Sequence, residues 1–312
     1  MQKHVSGIPA RPSTRVALVT GGTDGIGRTV AMELAHGGDR VLFVGRSRAR
    51  GAQVLAELQE LRPGVEHIFM PADLSLLSET ARVADEVVRH TDRLDAMVCC
   101  AGILSTIPEW TPDDLERNFV LNYLTRYLLA RRLLPQLMQA PSGRLVLVSN
   151  AGKYGDSLNF DDLQHRQGKP GLKVAGRTQF ANDLLVTELA DRLRGTRVEI
   201  ACVFPGVVRT GVFSNARGLP KIVKILAPML QRLMAISPEA AAETPVFLAQ
   251  NERAVGTGGK FYGPALKELP VPARALRPDR RSALWAASEG LVKSYLPERS
   301  AKLVAAAPYG GR

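Results

Sequence analysis

The stretch Thr20-Gly21-Gly22-Thr23-Asp24-Gly25-Ile26-Gly27 constrains this chain more than any other. An apolar run, Val16-Ala17-Leu18-Val19, leads into it, and residues 28–35 carry apolar side chains at helical spacing. Strand, glycine loop and helix, in that order, are the setting in which a Gly-rich motif carries chemistry. Glycines let the backbone turn sharply and let a pyrophosphate come close. The helix N-terminus then offers unpaired N–H groups and the positive end of its dipole to the phosphates. Such glycines can also serve a turn alone, but the flanking strand and helix favour a dinucleotide site.

The same alternation continues downstream. Strand-like runs at 40–44, 67–70, 94–99, 144–148 and 198–204 are separated by helical patterns at 48–61, 77–90, 113–139 and 174–193. Strands this continuously apolar are buried on both faces, so the pattern predicts an α/β fold. The expected architecture is a three-layer, doubly wound parallel sheet of Rossmann type. A chain of 312 residues is ample for one such domain. The domain is expected over 15–296, with a flexible arm at 1–14 and a loose tail at 297–312.

Several classes are disfavoured. The first 14 residues have no apolar h-region and no run of about 18 apolar residues exists, so neither a signal peptide nor a spanning helix is expected. Cys99, Cys100 and Cys202 fit no disulfide framework or zinc spacing; a reducing, cytoplasmic setting and no metal site are expected. The net charge of +11 is scattered along the chain, with short clusters at 46–50 and 274–281. It reads as a solvated basic face rather than a nucleic-acid module.

The motifs together resemble the short-chain dehydrogenase/reductase family, nearest its retinol and carbonyl reductases, over about residues 15–291. Thr20 to Gly27 is similar to its glycine loop. Asp73-Leu74 resembles the pair whose Asp contacts adenine, though Asp73 could equally cap the next helix. Ala101-Gly102 resembles the end of the Asn-Asn-Ala-Gly turn, with Cys99 and Cys100 in place of both asparagines. Asn122 matches the helix asparagine, or is simply a kink residue. Phe160-Asp161-Asp162-Leu163, Ala181-Asn182-Asp183-Leu184 and residues 282–291 with Trp285 resemble further segments of that branch. Pro205-Gly206-Val207-Val208-Arg209-Thr210 is similar to the loop over the nicotinamide. The resemblance implies cofactor contacts from Thr20, Gly21, Thr23, Asp24, Gly25, Ile26, Gly27, Asp73, Leu74, Ala101, Gly102, Gln179, Pro205, Gly206, Val208 and Thr210. After the second strand, Arg46 and Ser47 stand where an acid would select NAD. A guanidinium suits a 2′-phosphate, so NADP(H) is expected over NAD(H).

The resemblance fails at the chemistry. The family's Ser, Tyr and Lys positions fall on Asn150, Ala175 and Gln179, and no Tyr-x-x-x-Lys occurs in the chain. Ala175 offers no proton, Gln179 brings no charge, and Asn150 can hold a carbonyl oxygen but cannot titrate. General acid–base help is typically worth about 10²–10⁴ in rate. Three readings stay open. One is an active NADP(H) oxidoreductase with a relocated donor, Tyr154 foremost, then Lys153, Lys173, His165 or Arg177, acting with Asn122 and Asn150 on a bulky apolar carbonyl or alcohol. Another is non-redox chemistry such as cyclisation, isomerisation or elimination. The third is a cofactor-binding sensor or scaffold. Phe204 and an amphipathic lid at about 211–237 would set the pocket's polarity. The lid packs on its own pocket or touches a lipid surface weakly. Cys100 and Trp110 line the site or merely pack. Homo-oligomers are implied by the family alone.

Overall fold

The structure, a computed structural model, describes residues 14–208, 218 and 236–297. Strands β1 (Val16–Thr20), β2 (Arg40–Gly45), β3 (Ile68–Pro71), β4 (Ala96–Cys99), β5 (Gly143–Val148), β6 (Val198–Val203), β7 (Phe261–Tyr262) and β8 (Glu268–Leu269) form one sheet in the order β3-β2-β1-β4-β5-β6-β7-β8. All neighbours pair parallel except β7 and β8. Alternate residues of each central strand feed two cores. Leu18, Leu42, Met97, Leu145 and Ile200 face one side; Ala17, Val41, Ala96, Val146 and Ala201 face the other. Helices α1 (Gly25–His36), α2 (Arg48–Leu61) and α7 (Pro238–Gln250) cover the second core. The first is covered by α3 (Leu77–His90), α4 (Arg117–Phe119), α5 (Thr125–Met138), α6 (Lys173–Arg192) and α8 (Pro278–Val292). The strand order reverses between β1 and β4, which opens a crevice at the strands' C-terminal ends.

The doubly wound sheet is the expected one, with local differences. The helix expected from residue 113 starts at Arg117. Asp114 has φ 56, and the Glu116 carboxylate accepts from the N–H groups of Asn118 and Phe119, both at 2.9 Å, so the helix is capped there. Between α4 and α5 the helix widens into a π turn, Val120–Leu124, which carries Asn122. His67 and Asp95 lie just before β3 and β4; the His67 ring nitrogen accepts from Val41 N–H and the Asp95 carboxylate accepts from Val16 N–H. The sequence patterns had not marked α7, β7 or β8. β7 and β8 have two residues each, and α7 presents mostly small residues to the second core, so they carry little periodicity.

The last helix, α8, seals α5 and α6. The Trp285 ring lies edge-on to Tyr127 at 5.0 Å, with the guanidinium groups of Arg192 and Arg131 at 4.0 and 5.2 Å from its centre. Tyr123 and Ser288 share a 2.8 Å hydrogen bond between their hydroxyls. Among the described residues, no helix is long and apolar enough to cross a membrane. The arm and tail fall outside the described residues except for residues 14 and 297. The expected lid does so too, save Gly218, Ile236 and Ser237.

Candidate functional site

The glycine loop follows β1 and docks on β2 through Gly22 N–H to Val44 carbonyl at 3.0 Å. Gly21 and Gly25 take φ 71 and 50, a left-handed backbone that suits glycine. A Cβ on Gly27 would stand 2.3 Å from the Gly21 carbonyl oxygen, and one on Gly21 would stand 2.9 Å from Ala101 N. The loop therefore folds tightly against both α1 and the end of β4. Thr20 donates no side chain to the crevice. Its hydroxyl accepts from Ala101 N–H at 3.2 Å and so pins the Ala101-Gly102 turn to the loop. Thr23 packs on Gly45, and Asp24 caps α1 by accepting from Gly25 N–H at 2.8 Å. Ile26 and Gly27 lie in the first turn of α1, where N–H groups lack helical acceptors. Arg46 is exposed at the end of β2; Ser47 caps α2, and Arg50 pairs with Asp24 at 2.7 Å.

Asp73 does not cap α3, whose N-cap is Leu76. Its carboxylate is taken up by Ser75 N–H and Oγ at 3.0 and 2.7 Å. The Leu74 carbonyl accepts from Thr125 on α5 at 2.6 Å. Asn122 grips the strand-exit segment after Gly102, with Oδ1 accepting from Ile103 N–H at 2.8 Å and Nδ2 donating to the Ile103 carbonyl at 3.0 Å. Its own carbonyl accepts from Asn182 at 3.0 Å.

The turn leaving β5 meets one face of α6. Gln179 Oε1 accepts from Ser149 Oγ at 2.8 Å and from Asn150 N–H and Nδ2, both at 3.2 Å. Asn150 and Gln179 are thus brought together. Tyr154 is half-buried, and a Cβ on Gly176 would stand 2.9 Å from its ring, so the ring lies against α6 one residue from Ala175. One turn further along α6, buried Asp183 accepts from Gly152 N–H at 3.2 and 3.1 Å. Burial pushes its carboxyl up to about 7, against the pull of Gly152 N–H and Arg274. Arg274 holds the turn from the other side, donating to the carbonyls of Gly152 and Tyr154 at 2.8 and 3.0 Å.

The other candidate donors stand elsewhere. Arg177 is committed to a buried pair with Glu116 at 2.5 Å and donates to the Leu163 carbonyl. His165 sits at φ 57 with its ring near the Lys169 carbonyl. Lys173 is exposed, and Lys153 lies over the Phe204 ring at 5.0 Å. Pro205 and Gly206 lead to Val208, which bridges Ile236; Gly206 has φ 88. Thr210 lies outside the described residues. Exposed Trp110 stacks on Arg166 at 4.4 Å. No cluster of three or more metal-ligating side chains occurs among the described residues. The helical pattern places Asp183 on α6 and the basic cluster 274–281 contains Arg274, but neither pattern marks Asp183, Arg126 or Arg274 as part of this site. Asp183 has a sequence signal, an acid four residues after Gln179 on the same helix face.

The sequence profile of the short chain dehydrogenase family matches residues 15–160. Human retinol dehydrogenase 14 is 33% identical over 300 residues, spanning 92% of this chain and 88% of its own. Bovine dehydrogenase/reductase SDR family member 13 is 33% identical over 280 residues, spanning 89% and 73%. Among solved structures, a short chain dehydrogenase from Shigella flexneri complexed with NADP superposes with a TM-score of 0.61 at 24% identity, over 80% of this chain and 96% of that one. That likeness is one of fold. With the sheet order, the glycine loop and these relatives agreeing, the chain belongs to the short-chain dehydrogenase family.

Proposed function

We propose that this protein is an NADP(H)-dependent oxidoreductase that acts on a bulky apolar carbonyl or alcohol through a non-standard site. The observation that carries the reading is the glycine cradle at the switch point, where the loop packs against β4 and α1 too closely for any Cβ at Gly21 or Gly27. The first turn of α1, with Ile26 and Gly27, fits a pyrophosphate. Arg46, exposed and with no acid beside it in the sequence, fits a 2′-phosphate. Ala101, Gly102, Pro205 and Gly206 would border the nicotinamide half, and Asp73 and Leu74 the adenine. Bound NADP(H) would supply the hydride chemistry. The chain's own part would be to hold the substrate oxygen with the Asn150 amide and to move a proton through the Tyr154 hydroxyl. Asn122 acts here by positioning the Ala101–Ile103 backbone.

A second reading, NADP(H) binding without redox turnover or a non-redox reaction, is favoured by one feature. Gln179 Oε1 already accepts three donors, and Ala175 carries no hydroxyl, so positions 175 and 179 supply no titrating pair. Calorimetric titration with NADPH and NADH, followed by NADPH absorbance with apolar aldehydes and quinones, separates the two. Tight NADPH binding with consumption that Tyr154→Phe cuts at least tenfold supports the first. NADPH binding without consumption by any substrate supports the second. Folded protein that binds neither nucleotide overturns the first and the cofactor-binding form of the second, and leaves a cofactor-free reaction or a scaffold.

A further inference from the structure

Arg126, one helical turn beyond Asn122 on α5, has no part in the reaction proposed above. Its side chain is 4% exposed and reaches the C-terminal ends of two central strands. Nη2 donates to the Ala101 carbonyl at 3.1 Å and to the Val148 carbonyl at 2.9 Å, while Nε and Nη1 are buried with no hydrogen-bond partner. A Cβ on Gly102 would stand 3.8 Å from Nη2, so the guanidinium lies directly behind the Ala101-Gly102 turn. The ionisable groups that face it are the thiols of Cys99, Cys100 and Cys202. Burial keeps all three protonated, pushing Cys99 up to about 11, Cys100 up to about 12 and Cys202 well above its ordinary value. No carboxylate among the described residues pairs with Arg126. Burial pulls its pKa down from the ordinary value, yet an arginine starts so high that it stays charged.

A buried cation with no carboxylate partner among the described residues acts at a distance. At an effective dielectric of about 20, two unit charges about 8 Å apart shift an equilibrium by on the order of tenfold or more. The oxidised nicotinamide ring carries one positive charge and the reduced ring carries none; the rest of the cofactor is the same. With a neutral glutamine at position 179, Arg126 is the buried cation behind the turn where β4 ends.

We propose that Arg126 makes the crevice selective for the redox state of its cofactor: the guanidinium behind Ala101-Gly102 disfavours the oxidised, cationic nicotinamide and accepts the reduced one. The inference rests on the NADP(H) reading and deepens it, since a chain loaded with the reduced form is poised to reduce its substrate. It is specific to Arg126 and needs neither Tyr154 nor turnover.

The test is equilibrium titration of the full chain with NADPH and with NADP⁺. The wild type is expected to bind NADPH at least tenfold more tightly. Arg126→Met, which keeps an apolar stem and removes the charge, is expected to bring the ratio within about threefold of unity, mainly through tighter NADP⁺ binding. Arg126→Lys is expected to keep the wild-type ratio. Arg126→Gln, whose amide can still donate to a strand-end carbonyl, replaces the Met variant if that chain does not fold in a melting experiment. A wild-type ratio near one, or a ratio unchanged when the charge is removed, overturns the inference and leaves the NADP(H) reading standing. Binding of neither form by folded protein overturns the NADP(H) reading itself, and the inference with it.

Discussion

Asp183 couples protonation to packing at the β5 exit. Its carboxyl titrates near 7 in the folded chain and near the ordinary value of about 3.9 when unfolded. Between those limits the folded state holds a proton that the unfolded state has released. The contribution of Asp183 to stability is therefore largest below about pH 4, falls as pH rises towards 7, and is flat above. Asp183→Asn keeps an acceptor for Gly152 N–H without the charge. The variant is expected to flatten the pH dependence of the melting temperature between pH 5 and 8, and to be more stable than wild type at pH 8 by about 1–4 kcal/mol. An unchanged slope would sink the assignment. The Arg177–Glu116 pair behaves differently, because removing one partner strands a buried charge. Arg177→Met is expected to cost about 3–5 kcal/mol in a denaturant titration, and Arg177→Met with Glu116→Gln less. The absence of a Tyr-x-x-x-Lys is visible in the letters. What Gln179 and its neighbours bond to is not. Gln179 and Asp183 find their partners about thirty residues away, at Ser149, Asn150 and Gly152.

At the scale of the element, the glycine loop and α8 have different duties. The loop shapes a crevice. Gly27→Ala forces a methyl against the Gly21 carbonyl, so the loop must open. At least a tenfold loss of NADPH affinity is expected in calorimetry, with a smaller change in melting temperature. Helix α8 closes a core face. Trp285→Ala removes a ring held by Tyr127, Arg131 and Arg192, and is expected to cost about 2–4 kcal/mol in denaturant titration. The patterns that placed helices at 48–61 and 77–90 match α2 and α3 in both bounds. The helix expected from 113 failed at its start because a cap decides it. Glu116 holds the first turn with a side chain that the apolar repeat does not register.

Over the whole molecule, the charge of +11 should act on encounter more than on fold. A polyanionic nucleotide is expected to associate several-fold more slowly when NaCl rises from about 20 to 300 mM, as stopped-flow quenching would read. A rate independent of salt would mean that the basic surface does not face the crevice. The order in which the elements leave the ribosome has its own consequence. The sheet is complete once β8 exists, yet α5 and α6 stay open until residues 278–292 arrive. Until then Tyr123, Tyr127, Arg131 and Glu188 lie along an unsealed seam, waiting for Ser288, Glu289, Trp285 and Arg281. A nascent chain of this protein therefore carries the crevice at its strand ends before it carries its last wall. Stalling translation just short of α8 is expected to leave that seam open to neighbouring chains.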